Sequence, residues 1–277
     1  MTIAITGATG NIGGAVARAL AADGVPFRML VRDPARAPEL PGTEVRTASF
    51  SDGEAARSAL EGVDTLLMVS GAEAQDRLQQ HRTFVAAAAT AGVRHVVYTS
   101  FAGAAADATF TLGRDHWATE TAIRETGMAH TFLRDCFYLD FVEDLVGEDG
   151  VIRGPGGDGA MAAVARADVA RVATEVLRHP TAHLDRTYDL TGPVAITLDQ
   201  AAAIVSAERG TTVTYHRETL DEAYASRAQW NPEPWQADAW VSTYTAIAEG
   251  ALATVSGDVE RVTGRQPMTL QDVLRAG

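Results

Sequence analysis

A glycine-spaced turn between a short apolar strand and a helix is the feature that most constrains this chain. The segment reads Ile3-Ala4-Ile5-Thr6-Gly7-Ala8-Thr9-Gly10-Asn11-Ile12-Gly13-Gly14. Gly7 permits a tight turn, Gly10 lets backbone N–H groups approach a phosphate, and Gly13 lets the helix pack closely on the strand. A phosphate placed there would meet the positive end of the helix. The pattern favours binding of a dinucleotide pyrophosphate over an ordinary turn that happens to contain three glycines.

The first two-thirds of the chain alternate apolar runs with helix-period segments, which predicts a parallel sheet with crossover helices. The predicted strands are Ile3–Thr6, Phe27–Val31, Glu44–Thr47, Thr65–Val69, His95–Thr99 and His130–Leu133. The predicted helices cover about 12–22, 54–60, 75–91 and 115–126. We therefore expect an α/β fold with a Rossmann-type, doubly wound parallel sheet.

The last third has a different pattern. Two segments fit a capping box that opens a helix: Thr197-Leu198-Asp199-Gln200 and Thr219-Leu220-Asp221-Glu222. Residues 187–190 and 212–216 are predicted strands. This mixture of strands and helices differs from the regular strand–helix alternation of the first two-thirds.

Composition excludes several classes of partner. The net charge is −13, with no local basic stripe, which argues against nucleic acid. No apolar run approaches the roughly 20 residues that span a bilayer, and the first apolar stretch is too short for a signal peptide. The single cysteine, Cys136, allows no intrachain disulfide, so we expect a cytoplasmic protein. The dispersed histidines show no metal-ligand spacing.

The chain contains no lysine, because all 23 basic residues are arginine. Schiff-base chemistry, a P-loop lysine and the tyrosine–lysine pair of ordinary short-chain dehydrogenases are therefore excluded.

The end of the second strand indicates which nicotinamide cofactor is bound. It reads Val31-Arg32-Asp33-Pro34-Ala35-Arg36 and lies about 20 residues beyond the glycine turn, where ribose recognition is expected. Arg32 and Arg36 suit a 2′-phosphate, which favours NADP(H). Asp33 on the ribose would instead favour NAD(H), which stays possible, and a solvated arginine–aspartate pair is the third interpretation.

Read together, the motifs resemble the NmrA-like atypical short-chain dehydrogenases, and within them the bacterial NAD(P)H:quinone oxidoreductase and triphenylmethane reductase branch. The segments that carry the resemblance are Gly7–Gly13, Leu30–Asp33, His116–Glu120, Thr131–Arg134, Val164–Ala170, Tyr188–Leu190 and Asn231–Pro234. The resemblance implies a Rossmann domain over residues 1–138, with about 166–191 returning to it. It also implies a smaller, mostly C-terminal α/β substrate domain over 139–277, with the substrate cleft between the two.

The resemblance also implies the site residues. Those expected at the pyrophosphate are Gly7, Thr9, Gly10, Asn11 and Ile12, and Arg32 would hold the adenosine phosphate. Ser70 and Gly71 after the fourth strand, and Thr99 and Ser100 after the fifth, would line the cofactor. Tyr138 and Phe141 would face the nicotinamide and the substrate, which makes Tyr138 a candidate catalytic residue.

In place of a tyrosine–lysine pair, one predicted helix carries His116 and Glu120 at i,i+4 spacing. A histidine can donate a proton near neutral pH and a carboxylate can orient it. The alternative is a routine helix-surface pair that contributes a few tenths of a kcal/mol.

These features predict an NADPH-dependent reductase that transfers hydride to a quinone or a similar conjugated aromatic acceptor. Reduction of such a delocalised acceptor tolerates late protonation from water, whereas an isolated ketone needs a positioned acid. We expect a small conjugated substrate and a monomer or homodimer. Two alternatives stay open: a non-catalytic NADP(H)-sensing regulator, and a redox-neutral or imine- or ketone-reducing biosynthetic enzyme.

Overall fold

The computed structural model describes residues 2–276. The chain divides into two compact units. The first comprises Met1–Ser100, Asp115–Arg134 and Val169–Tyr188, and the second comprises Phe101–Arg114, Asp135–Asp168 and Asp189–Gly277. These bounds differ from the boundaries predicted from the sequence chiefly at Phe101–Arg114, which lies in the second unit.

The strands are short. In chain order they are β1 Ile3–Thr6, β2 Phe27–Val31, β3 Thr43–Thr47, β4 Thr65–Met68, β5 His95–Phe101, β6 Ala129–Asp135, β7 Val151–Gly154, β8 Ala160–Met161, β9 Arg186–Leu190, β10 Ile196–Thr197 and β11 Thr214–Arg217. Eight of them fall within a few residues of the predicted bounds, and three (β7, β8 and β10) were not predicted.

The sheet of the first unit has seven strands in the order β3-β2-β1-β4-β5-β6-β9. The pairs β1–β2, β1–β4, β2–β3 and β4–β5 are parallel. Strands are added to one side of β1 and then, from β4 onward, to the other. In open α/β sheets, ligands bind beyond the carboxyl ends of the strands at such a switch point. The predicted doubly wound α/β fold is confirmed.

Ten α-helices accompany these strands in the described part of the chain. They are α1 Asn11–Ala22, α2 Gly53–Leu60, α3 Arg77–Thr90, α4 Thr111–Glu125, α5 Arg166–Arg178, α6 Leu198–Arg209, α7 Leu220–Arg227, α8 Pro234–Ala248, α9 Asp258–Thr263 and α10 Leu270–Ala276. Both predicted capping boxes are confirmed, because Thr197 with Gln200 opens α6 and Thr219 with Glu222 opens α7. Among residues 2–276, no helix is both long enough and apolar enough to cross a bilayer.

The core of the first unit explains why its strands are nearly continuous apolar runs. All four residues of β1 and of β4 are buried, as expected for parallel strands covered on both faces. One side of the sheet packs against α2 and α3 around Leu60, Phe84 and Phe132. Phe50 stacks on Phe84 with ring centroids 4.4 Å apart. This packing covers one face of the sheet that contains β1 and β4.

The second unit contains two small sheets. Strands β8 and β10 pair antiparallel, and β7 and β11 pair parallel. The turn after β7 is held by Tyr215, whose hydroxyl donates to the carbonyl of Gly154 (2.7 Å) and accepts from the N–H of Gly156 (3.0 Å).

Candidate functional site

In the glycine turn that follows β1, packing requires glycine at position 13, whereas there is room for a side chain at position 10. Gly7 adopts the left-handed conformation, with φ of 67°. A Cβ on Gly13 would lie 2.4 Å from the carbonyl oxygen of Gly7, so α1 packs against the turn only with glycine at this position. A Cβ on Gly10 would meet only that same oxygen, at 3.4 Å. The space beside Gly10 is therefore not filled by the protein.

The N-terminus of α1 is left uncapped by side chains. Gly10 occupies the N-cap position, no side chain accepts a hydrogen bond from the first turn, and that turn has no acidic residue. The leading N–H groups of a helix have no intrahelical acceptor, and they lie at the positive end of its dipole. Thr9, Gly10 and Asn11 are exposed, whereas the side chain of Ile12 is buried and leaves only its backbone for a ligand. This arrangement fits a phosphate group.

The turn after β2 presents two guanidinium groups with no acidic partner. Asp33 caps the following 3-10 turn, where its Oδ1 accepts from the N–H of Ala35 at 3.0 Å. Arg32 and Arg36 are exposed, and within residues 2–276 neither side chain forms an ion pair. The expected alternative of a solvated arginine–aspartate pair is therefore not formed here. Two unpaired guanidinium groups fit an additional phosphate on the ribose.

At the carboxyl ends of the central strands, threonine hydroxyl groups form hydrogen bonds with the backbone that follows β4. Thr6, at the end of β1, accepts from the N–H of Val69 at 2.9 Å. Thr99 accepts from the N–H of Ser70 at 2.8 Å. The expectation that Thr99 and Ser100 follow the fifth strand is wrong, because β5 continues to Phe101. Both side chains are buried. Thr99 therefore supports the loop after β4 from the interior of the protein.

Two side chains of α3 hold the same loop. The carbonyl of Gly71 accepts from Nε of Arg77 (3.0 Å), and its N–H donates to Nε2 of His81 (2.9 Å). Because Nε2 of His81 accepts, Nδ1 carries the proton and donates to Thr119 (3.0 Å). Burial and the charge of Arg77 lower the pKa of His81 to about 3. Sequence reasoning missed this pair, although its i,i+4 spacing on a predicted helix was a usable signal.

His116 lies in the same buried network. Nη2 of Arg77 is 3.0 Å from its Nε2, and the hydroxyl of Tyr98 is 3.0 Å from its Nδ1. A guanidinium can only donate, so Nε2 accepts and Nδ1 carries the proton. Burial, followed by the charges of Arg77 and of a protonated His81, lowers the pKa of His116 well below its ordinary value of 6.5. His116 is thus held as a neutral imidazole.

Glu120 lies on the same helix as His116 but has different partners. Its carboxylate is fully buried and accepts from Ser100 (2.6 Å), from Nε and Nη2 of Arg134 (2.8 and 2.7 Å) and from Arg124 (3.1 Å). The expected orientation of His116 by Glu120 is not formed. The carboxylate is bound instead by Ser100 of β5 and Arg134 of β6, together with Arg124 of its own helix. Ser100, which is expected to line the cofactor, donates to this ion-pair cluster.

Tyr138 belongs to the second unit. Its hydroxyl donates to Oδ2 of Asp135 at 2.6 Å. Burial, then the charge and hydrogen bond of Asp135, raise the pKa of Tyr138 well above its ordinary value of 10.0. The phenolic proton is therefore held by a carboxylate. Sequence reasoning did not single out Asp135.

Tyr138 also forms part of a platform of two rings and one guanidinium. The ring centroids of Tyr138 and Phe141 are 5.8 Å apart. The guanidinium carbon of Arg166 lies 5.3 Å from the first centroid and 4.0 Å from the second. Phe141 is exposed to 39%. We call these three residues the Arg166 platform.

Cys136 is buried, and burial raises the pKa of its thiol to about 12. No group of three or more His, Cys, Asp or Glu side chains among these residues could hold a metal ion.

Comparison with known proteins agrees with this fold and with an NADP(H) cofactor. The NAD(P)H azoreductase of Xenophilus azovorans is 33% identical over 279 residues, which covers 99% of this chain and 97% of the relative. The crystal structure of the NADPH-dependent quinone oxidoreductase of Escherichia coli, complexed with NADPH, has a TM-score of 0.90 and 32% identity, and 99% of each chain is covered. That of Citrobacter sp. triphenylmethane reductase complexed with NADP(H) has a TM-score of 0.88 and 31% identity, with 99% of each chain covered.

The match to a family extends over most of the chain. The NmrA-like family matches residues 1–234. This range includes the glycine turn, the arginines after β2, the buried network of α3 and α4, and the Arg166 platform. The chain therefore belongs to the NmrA-like family.

Proposed function

We propose that this protein is an NADPH-dependent reductase that transfers hydride to a quinone or a similar conjugated aromatic acceptor. The pyrophosphate is held by the turn after β1, through the backbone of Gly7, Thr9, Gly10, Asn11 and Ile12. When bound, NADPH supplies the hydride. The uncapped start of α1 and the open side of Gly10 support this placement.

Arg32 and Arg36 select NADPH over NADH. Both guanidinium groups are exposed and lack an acidic partner, so they can pair with the 2′-phosphate without breaking an existing ion pair. Asp33 does not compete for the ribose, because its carboxylate already caps the next turn. The NADPH and NADP(H) complexes of the two similar crystal structures support the same preference.

The loop after β4 lines the cofactor through the backbone of Ser70 and Gly71. Thr99, Arg77 and His81 act as positioning residues, since each hydrogen-bonds to that backbone. Ser100 acts one step further away, through the carboxylate of Glu120. In this assignment Thr99 and Ser100 set the shape of the cofactor site without touching the cofactor.

One observation carries the choice of acceptor: neither candidate acid has a proton ready to give. The Nδ1 proton of His116 goes to Tyr98, its Nε2 faces Arg77, and the proton of Tyr138 goes to Asp135. Reduction of an isolated ketone forms a strongly basic alkoxide and needs a positioned acid. A quinone gives a delocalised anion that water can protonate later, and a cationic dye needs no proton. The quinone, azo and triphenylmethane reductases similar to this chain support this acceptor class.

The test is NADPH oxidation by the purified protein with a panel of acceptors. We expect turnover with quinones, azo dyes and cationic triphenylmethane dyes, and none with simple ketones. Gly10→Val provides the matched background, since it blocks the phosphate cradle and leaves the acceptor residues intact. NADPH binding without oxidation by any acceptor would favour the sensing regulator instead. Product formation with no net NADPH consumption would favour the redox-neutral enzyme.

We infer that the protein works in the cytoplasm, as a monomer or a homodimer, on a small conjugated substrate. The buried thiol of Cys136 needs no oxidising compartment.

A further inference from the structure

Arg166 is an unusual arginine within the second unit. It is the first residue of α5 and is half-buried against the rings of Tyr138 and Phe141. Within residues 2–276 its guanidinium has no carboxylate partner. The nearby carboxylate of Asp140 accepts from the backbone N–H of Arg166 at 2.9 Å. The N–H donors of the guanidinium are thus not used by the protein.

Arg227 in the same unit shows what a structural arginine looks like here. Its guanidinium carbon lies 5.0 Å from the ring centroid of Tyr244, which resembles the stacking of Arg166. Unlike Arg166, it is paired with the buried carboxylate of Glu218 at 2.8 Å. A partly buried cation without such a partner loses hydration with no ionic compensation. A ligand that brings negative charge to Arg166 would supply that compensation.

We propose that Arg166 is a catalytic residue that donates hydrogen bonds to the acceptor oxygen on which negative charge develops. The inference rests on the proposed function and specifies its acceptor site. The guanidinium of Arg166 lies over the ring of Phe141, and the exposed part of that ring offers an apolar surface for a conjugated acceptor. The N–H donors of Arg166 then lie next to the bound acceptor.

The charge balance of the reaction makes this role useful. A quinone that takes up a hydride gains two electrons and one proton and becomes a hydroquinone monoanion, while the reduced nicotinamide is oxidised. One oxygen of the former quinone carries the charge until water supplies the second proton. The hydrogen bond from a fixed cation to this oxygen becomes stronger as the charge appears, and this lowers the free-energy barrier to hydride transfer. With the protons of His116 and Tyr138 held elsewhere, Arg166 provides the stabilisation that a proton donor would give.

This role predicts opposite effects for two acceptor classes. A quinone is neutral and becomes anionic, so it gains from Arg166. A cationic triphenylmethane dye becomes neutral on taking up hydride, so a nearby guanidinium disfavours its binding and gives it no help. A purely structural arginine would affect both acceptors equally.

The experiment compares kcat/KM for a benzoquinone and for a cationic triphenylmethane dye in wild type and Arg166→Gln. We expect the quinone value to fall about 10- to 100-fold, the scale for loss of one hydrogen bond to a charged group. The dye value should stay unchanged or rise. Arg166→Lys should recover part of the quinone rate, because it keeps the charge but not the planar fork. Arg178→Gln, a surface change at the other end of α5, is the matched control and should alter neither value.

A binding measurement tests the same role without turnover. Para-nitrophenol added to the wild-type protein should bind as the yellow phenolate with a lowered pKa, seen in its visible absorbance, and Arg166→Gln should remove this shift. Equal losses for quinone and dye, or no phenolate shift in wild type, would overturn the role of Arg166. If wild type oxidises NADPH with neither acceptor, the proposed function itself fails, and this is a separate outcome.

Discussion

Nη2 of Arg77 lies 3.0 Å from Nε2 of His116, and this contact fixes the protonation state of the imidazole. A second proton on His116 would have to point at a guanidinium inside the protein. Burial already disfavours the charged ring, and Arg77 adds to that effect. The histidine that the sequence offers as a proton donor is thus built into the scaffold that holds the loop after β4.

The first prediction concerns His116→Ala. We expect quinone reduction to fall by less than about tenfold, because His116 does not act as a general acid. A residue that did so would contribute about 10²–10⁴-fold to the rate. His116→Gln should be closer to wild type, since its amide can still accept from Arg77. Steady-state kinetics with NADPH affinity measured separately provides the readout. A loss above about a hundredfold at unchanged affinity would make His116 the proton donor and would count against a quinone as acceptor.

The second prediction separates two glycines of the turn. Gly10→Val should leave the protein folded, because the extended backbone there accepts a side chain and a Cβ meets only one atom at 3.4 Å. It should abolish NADPH binding, because the side chain occupies the path of the phosphate. Calorimetric titration with NADPH measures this effect. Unchanged affinity in the folded variant would remove the glycine turn from the cofactor site.

Gly13→Ala is the matched comparison, with the opposite expectation for stability. The added Cβ would lie 2.4 Å from the carbonyl oxygen of Gly7 and 2.7 Å from that of Thr6. Backbone atoms cannot move aside easily, so we expect about 1–3 kcal/mol of destabilisation. Urea denaturation should therefore shift for Gly13→Ala and stay near wild type for Gly10→Val.

The third prediction concerns the arginines after β2. Arg32→Ala should weaken NADPH binding by about 1.5–3 kcal/mol, the usual scale for hydrogen bonds to charged groups, and leave NADH nearly unaffected. Arg36→Ala should act in the same direction. The control is Arg57→Ala, since that exposed arginine pairs with Glu61 on the surface of α2. Equal weakening of both cofactors by Arg32→Ala would mean that Arg32 has a structural role.

Most of the fold could be predicted because local patterns determine it. The apolar run of β1 and the glycine spacing after it fix a strand, a turn and a helix within one short segment. Both capping boxes were readable, since each depends on two residues three positions apart. The end of β5 was placed too early, because Ser100 is polar. Its hydroxyl is buried only because Glu120 accepts from it.

The contacts of the candidate site were harder to predict, because they join residues far apart in the chain. Helical spacing places His116 and Glu120 on one face, and this much is correct. Which groups they meet depends on the elements packed against that face. Arg77 comes from α3, and Arg134 comes from β6. No periodicity in the sequence encodes those pairings.

The last prediction is that the protein loses stability as the pH falls below neutrality, and that His81 contributes to this loss. The pKa of His81 is about 3 in the folded protein, against an ordinary value of 6.5. Between these values the unfolded chain binds a proton that the folded protein does not, so acid favours unfolding. The loss begins near pH 6.5 and grows by up to about 1.36 kcal/mol per pH unit for each such histidine. His95, whose pKa burial lowers to about 4, adds to this loss of stability.

Urea denaturation between pH 7 and 5 should give a shallower pH dependence of the unfolding free energy for His81→Gln than for wild type. Wild-type stability that stays constant or rises towards pH 5 would show that these imidazoles are not held neutral.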